Sequence, residues 1–152
     1  MDTAKEHALL LELIARAAVA PLGEHDLAEL NARNVGFDRT LGLRYTRVGA
    51  DGVTCELDVT EAHLQPAGIV NGGVYAALAE SAASLAGMVA AGAPVVGVTN
   101  STDFIAATGS GTLRAVATPV QLGRRTQLWS VEVTRNGKLL SRTTLRTMPA
   151  RT

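Results

Sequence analysis

The sequence predicts an α+β domain in which a curved antiparallel sheet of about six strands wraps around one long central helix. Residues 53–59 alternate apolar and polar side chains, which is typical of a half-buried strand. Residues 72–91 form a long apolar segment rich in Ala and Gly, and four further strand-like segments follow it. A helix that is apolar on all sides has to be buried, and small side chains let it pack closely against a sheet.

Two helices are expected before the sheet. The first is predicted by apolar residues at helical spacing, and Pro21 ends it. These residues are Leu9, Leu10, Leu13, Ile14 and Ala17. A second, short helix is expected over residues 26–34, closed by Gly36. We therefore divide the 152 residues into an N-terminal helical extension, 1–39, and one sheet-and-helix domain, 40–152.

The strand segments are separated by turn residues. Residues 43–48 are expected to form a hairpin with 53–59. Asn136-Gly137 predicts a two-residue hairpin between the last two strands. The four strands after the helix are expected at 96–107, 112–122, 126–135 and 138–147.

Composition excludes several classes of function. The single cysteine, Cys55, excludes a disulfide framework and a cysteine zinc site, and three scattered histidines argue against a histidine metal cluster. Aromatic residues make up only 3%, too few to stack the bases of a single-stranded nucleic acid. We expect a cytoplasmic protein with no cofactor, no metal and no nucleic-acid partner.

The segment 72–98 is long enough to cross a membrane, but Glu80 lies inside it and Ala and Gly dominate it. A carboxylate within a bilayer costs about 2.5–3.5 kcal/mol on insertion scales. We therefore expect a helix enclosed by protein and no membrane partner.

The zero net charge hides an asymmetry. Residues 1–103 hold 6 basic and 13 acidic side chains, whereas residues 104–152 hold 8 basic and 1 acidic. The basic C-terminal part favours an anionic ligand such as the phosphates of a cofactor-like molecule. The alternative is that these arginines only keep strand edges soluble.

The central helix carries the candidate chemistry. Burial would disfavour the charged form of Glu80, so this carboxylate needs a partner or a task. Ser84 lies one turn later on the same face, and the loop before the helix offers Gln65. The free amides of Gly72 and Gly73 at the helix N-terminus would stabilise a developing oxyanion. Together these groups suit acyl transfer.

The alternative is that Glu80 faces solvent or pairs with an arginine, and that the two glycines only permit close packing. A catalytic serine is disfavoured because no Gly-x-Ser-x-Gly motif exists and no histidine follows His63. A nucleotide-binding glycine loop is excluded because both the glycine order and the P-loop lysine are missing.

The segment from His63 to Ser84, HLQPAGIVNGGVYAALAESAAS, resembles the signature of hotdog-fold acyl-CoA thioesterases. It is most similar to the phenylacetic-acid-pathway and Arthrobacter-type 4-hydroxybenzoyl-CoA thioesterase branch. The order of strands and helix extends the resemblance over residues 40–148.

The resemblance implies a role for each matching residue. The residue matching Glu80 is the catalytic nucleophile or general base, and Gly72 donates its N–H to the thioester carbonyl. Gln65 holds the reacting groups and Ser84 positions the hydrolytic water. The remaining positions are expected to bind substrate, the last three of them near the phosphates of coenzyme A: Asn71, Gly73, Arg124, Arg125 and Thr126. Asn71 departs from the pattern, since many relatives have a histidine there that can carry a proton.

We therefore expect a thioesterase that hydrolyses an acyl-CoA to a free acid and coenzyme A. The resemblance also implies a homotetramer, a dimer of dimers with active sites between subunits. The alternative is a non-catalytic acyl-CoA-binding module of the same fold, which a hydrolysis assay would distinguish. A hotdog dehydratase is the third candidate function. It is disfavoured because such enzymes place a histidine on the active-site loop or helix, and this helix has none. The sequence does not identify the acyl group.

Overall fold

A computed structural model describes residues 3–150 and shows three helices, a six-stranded antiparallel sheet and a long central helix. The N-terminal helices are α1 (Thr3–Val19), α2 (Glu24–Ala32) and α3 (Gly36–Leu41). The sheet consists of β1 (Arg44–Gly49), β2 (Gly52–Asp58), β3 (Val95–Phe104), β4 (Thr112–Leu122), β5 (Gln127–Arg135) and β6 (Lys138–Pro149). The central helix is α4 (Gly72–Ala91), preceded by a single 3₁₀ turn at Glu61–His63. The predicted hotdog arrangement is confirmed.

The helix α3 was not predicted, and the assignment of Gly36 as a helix terminator was wrong. Gly36 is the first residue of α3 and has a positive φ of 60°. The helix ends at Gly42, whose φ of 73° places it in the left-handed region that glycine adopts most readily. The helix α3 therefore spans the boundary between residues 39 and 40, at which the N-terminal extension was expected to end.

Local signals define both ends of α4. Asn71 is its N-cap and accepts a hydrogen bond from the N–H of Gly73 at 2.8 Å. At the other end Gly92 is left-handed, with φ 62°, and Pro94 follows. Ten residues of α4 are buried, and its length and apolarity would suffice for a membrane span. Over half of that apolar window is buried inside the fold, as in a core helix.

Buried polar contacts hold α4 against the sheet. The side chain of Gln127 donates to the carbonyl of Gly87 at 3.2 Å and accepts from the hydroxyl of Thr147 at 2.7 Å. Trp129 donates to the same hydroxyl at 3.1 Å. A Cβ at Gly87 would lie 2.7 Å from the Gln127 oxygen, so this close approach requires glycine.

The strands lie in the order β1-β2-β4-β5-β6-β3, which leaves β1 and β3 as edges. The β1 edge is covered, because Asn31 of α2 accepts from the N–H of Tyr45 at 2.7 Å and donates to its carbonyl at 2.8 Å. Asn34 donates to the carbonyl of Leu43 at 2.8 Å. The edge strand β3 is mostly exposed, including Val96 and Val98. An uncovered apolar edge is a pairing surface for another chain.

Cys55 lies fully buried on β2, and burial raises the pKa of its thiol to about 12. At pH 8 only about one thiol in ten thousand would be ionised, and the thiolate is the reactive form. We expect no reaction of native protein with a disulfide dye and one equivalent of reaction after unfolding in denaturant. Labelling of the native protein at the rate of a free thiol would contradict this. The result also determines whether the protein itself adds background to a thiol-release assay.

Candidate active site

Gly72 is the first residue of α4, and its N–H makes no hydrogen bond within residues 3–150. The N–H of Gly73 is not free, because the Asn71 side chain caps it. The expectation that both amides are available was therefore wrong for Gly73. One backbone donor remains at the positive end of the α4 dipole.

Gly72 lines a small pocket of about 350 Å³ together with Gln65, Tyr75 and Phe104. A Cβ at Gly72 would lie 2.5 Å from the Phe104 ring. The Gln65 side chain accepts from the N–H of Ala67 at 2.5 Å, which leaves its NH₂ group available to donate. The structure therefore brings Gln65 and Gly72 together, as predicted.

Glu80 and Ser84 lie on the α1-facing side of α4 and line a different, large pocket of about 860 Å³. The Glu80 side chain is exposed and makes no hydrogen bond or ion pair within the described residues. The prediction that one chain buries Glu80 was wrong. Ten residues of α4 are buried, but position 80 is not among them. Of the two outcomes that the alternative named, Glu80 is exposed to solvent, and it pairs with no arginine within residues 3–150.

The carboxylate of Glu80 lies beside β3. An ideal Cβ built on Gly97 would be 3.2 Å from the Glu80 Oε1, so a glycine at that position leaves room for the carboxylate. Ser84 follows one turn after Glu80, but no hydrogen bond joins the two side chains. Both are free to bind another group.

A polar cluster beside this face was missed by sequence reasoning. Asp38 of α3 accepts hydrogen bonds from the hydroxyls of Ser81 at 2.5 Å and Tyr45 at 2.9 Å. Burial, followed by the Asp38 charge, raises the pKa of Tyr45 well above its usual value. Because 43 residues separate Asp38 from Ser81, no local pattern could reveal this contact.

The turn between β4 and β5 carries the predicted basic segment. It is closed by the N–H of Gly123, which donates to the carbonyl of Thr126 at 3.0 Å. Arg124 and Arg125 are exposed, and neither forms an ion pair within residues 3–150. The Thr126 hydroxyl instead contacts Arg146, at 3.5 Å. The turn thus presents two unpaired guanidinium groups to solvent.

Only one group of three neighbouring metal-ligand side chains occurs in the described part of the chain, namely His25, Asp26 and Glu29. It lies on the surface of α2. Asp26 already pairs with Arg16 at 2.8 Å, and Glu29 with Arg33 at 3.4 Å. The group is an ion-paired helix surface, and we assign it no metal.

Comparison with known proteins identifies the family. A Thioesterase superfamily model matches residues 67–141. A Mycobacterium tuberculosis protein that is named provisionally as an esterase is 46% identical over 112 residues, which span 70% of this chain and 79% of that protein. The chain belongs to the thioesterase superfamily.

Solved structures of relatives agree with this assignment. The structure of the Mycobacterium tuberculosis protein superposes with a TM-score of 0.74 at 41% identity, over 78% of this chain and 98% of that one. A thioesterase from Haemophilus influenzae gives a TM-score of 0.72 at 32% identity, over 84% and 92%. The proofreading thioesterase EntH of Cronobacter turicensis is 38% identical over 70% of this chain and 80% of its own. This superfamily member is a thioester hydrolase of the hotdog fold.

Proposed function

We propose that this thioesterase hydrolyses acyl-CoA, with Glu80 supplying the attack and the N–H of Gly72 binding the carbonyl oxygen. The observation that carries the proposal is the pair of unengaged groups on α4. Within residues 3–150 these are a carboxylate with no partner and a helix-terminal amide with no acceptor. A nucleophile and an oxyanion donor are the two requirements of acyl transfer.

The reaction begins at the thioester carbonyl carbon. The Glu80 carboxylate attacks this carbon or removes a proton from a water that attacks it. The carbonyl oxygen gains negative charge and accepts from the N–H of Gly72, while Gln65 holds the reacting groups. In either case the C–S bond breaks and coenzyme A leaves as a thiolate. Direct attack leaves the acyl group joined to Glu80 as an anhydride, which water then hydrolyses to the carboxylic acid and free Glu80. Attack by water gives the carboxylic acid directly, and the proton held by Glu80 passes to the thiolate. Ser84 positions the hydrolytic water.

These groups cannot meet within one chain. Gly72 and Glu80 are eight residues apart, which places them about 12 Å apart along the helix axis. They also line different pockets. We therefore propose that the site forms between two subunits, with Glu80 of one chain beside Gln65 and Gly72 of the other.

The exposed edge of β3 is the surface that we propose for this pairing. The β3 residues Gly97 and Phe104 lie beside Glu80 and Gly72 respectively, so both halves of the site border this strand. Two β3 edges related by a twofold axis would pair and bring each half-site to the partner's complementary half. Pairing of two such dimers would give the expected tetramer.

Mixing inactive variants tests the shared site. Glu80→Gln and Gly72→Pro chains, co-refolded in equal amounts, should recover about a quarter of wild-type activity, because half of the dimers are mixed and each mixed dimer has one intact site. Each variant refolded alone is the control. Light scattering that reports a monomer at the assay concentration would refute the shared site. The shared site would also be refuted if mass spectrometry shows that mixed dimers have formed and the mixture is still inactive.

We propose that Arg124 and Arg125 bind the phosphates of coenzyme A, with Thr126 completing that turn and with Asn71 and Gly73 contacting substrate at the start of α4. Replacing both arginines with Ala should raise KM for acyl-CoA on the order of tenfold with little change in kcat. KM for the matching acyl-pantetheine, which lacks the nucleotide, should not change.

The matched control for this prediction removes two exposed basic residues from the same part of the chain, through Arg114→Ala and Lys138→Ala. Raised salt should weaken acyl-CoA binding by the wild type more than by the double arginine variant. An equal rise in KM for both substrates would show that the turn does not recognise the nucleotide.

A further inference from the structure

The large pocket is a chamber that the N-terminal extension closes on one side. One wall comes from α4 and includes Glu80 and Ser84, and the other comes from α1 and from the segment around Val35 and Phe37. Its volume is about 860 Å³, and pockets of ~300–1,000 Å³ hold drug-sized ligands. An acetyl group would leave most of this chamber unfilled.

The chamber walls are chiefly aliphatic. The extension supplies Leu9, Leu10 and Leu13, and Met88 of α4 faces them across the chamber, a side chain that adapts to irregular ligands. Of the other charged residues that line it, Glu6 and Arg33 neutralise one another in an ion pair of 2.8 Å, and Asp38 accepts hydrogen bonds from the hydroxyls of Tyr45 and Ser81. Glu80 is the proposed catalytic group. The lining therefore favours an uncharged apolar occupant.

Two large apolar side chains in the chamber lining remain exposed in the single chain, Val35 at 53% and Phe37 at 63%. An apolar ligand that entered toward Glu80 would cover part of both. A contiguous exposed apolar surface is typical of a ligand-binding groove.

The extension is fixed in place and can therefore act as a wall. The Asn31 side chain accepts from the N–H of Tyr45 on β1 and donates to its carbonyl. Asp38 accepts a hydrogen bond from Ser81, the residue after Glu80. The wall is thus tied to the sheet and to the helix that carries Glu80. Binding a ligand against it does not require the extension to fold first.

We infer that the N-terminal extension forms the acyl-binding chamber and selects an apolar acyl group much larger than acetyl. The inference rests on the proposed function, because it takes Glu80 as the group that meets the thioester. Leu10 and Val35 are then specificity-determining residues that contact the far part of the acyl chain.

Hydrolysis of acetyl-, hexanoyl- and decanoyl-CoA tests the inference. In the wild type kcat/KM should rise along the series, by up to about fourfold per buried methylene. Val35→Trp and Leu10→Trp each fill the chamber and should lower kcat/KM for decanoyl-CoA at least tenfold. The value for acetyl-CoA should change less than twofold. The control is Val19→Trp, the same change on α1 at a residue that is 89% exposed and outside the chamber lining.

Binding of the non-hydrolysable thioethers S-ethyl-CoA and S-decyl-CoA, measured by calorimetry, separates this inference from the proposed function. If the wild type binds S-decyl-CoA more tightly than S-ethyl-CoA and both Trp variants abolish this difference, the chamber is supported even if no thioester is hydrolysed. Hydrolysis with no preference for long chains would overturn the chamber and leave the thioesterase assignment intact. The inference would also be overturned if Val19→Trp changed the dependence of kcat/KM on acyl-chain length as strongly as the two chamber variants do.

Discussion

Glu80→Gln is expected to lower kcat by a factor on the order of 10² or more, because the attacking carboxylate becomes a neutral amide. Glutamine keeps the shape of the side chain, so KM should change much less than kcat. The melting temperature should stay at the wild-type value, because Glu80 makes no hydrogen bond or ion pair with the described part of its chain that the change would remove.

The control for this variant is Glu12→Gln, the same chemical change at an exposed residue of α1 outside both pockets. Release of coenzyme A is followed with a thiol-reactive dye, and folding by circular dichroism. A folded Glu80→Gln enzyme with wild-type kcat would remove Glu80 from the reaction. Wild-type protein that binds acyl-CoA without releasing thiol would instead favour the non-catalytic binding module.

The sequence predicted those parts of the fold that local signals determine. The bounds of α4, Gly72 and Ala91, agree with the predicted ones. Its C-terminal end follows from Gly92 and Pro94, which terminate the helix. Asn136 and Gly137 form the predicted hairpin turn, both with positive φ. The six-residue helix α3 was missed because a glycine such as Gly36 can equally well end one helix or begin the next.

The exposure of Glu80 could not be predicted from composition alone. The apolar content of α4 suggested burial on every side, whereas a single chain leaves position 80 exposed. Asn71 was interpreted as a substrate-binding residue that replaces a histidine, and its role as an N-cap was missed although asparagine is among the most favoured N-cap residues. Its capping role gives a structural reason for that side chain in a site that lacks the histidine.

Gly72→Pro carries the second large expectation, because the backbone at position 72 accepts proline while the substitution removes the free N–H. Gly72 is the first helical residue of α4, where proline is over-represented since the N–H has no partner within the helix. Asn71 has φ −62° and ψ 136°, the extended geometry that a residue before proline requires. The substitution therefore removes the backbone donor while keeping the helix start.

Loss of one oxyanion donor lowers kcat by about 10²–10³ in enzymes that stabilise a tetrahedral intermediate, and we expect that loss for Gly72→Pro. Gly72→Ala is the matched control. Its Cβ meets the Phe104 ring just as the proline ring does, but it keeps the N–H. Phe104 is 62% exposed, so its ring can turn aside in both variants. Equal kcat losses in the Ala and Pro enzymes would assign the effect to crowding by Phe104, whereas a loss confined to Pro identifies the N–H of Gly72 as the group that binds the developing oxyanion.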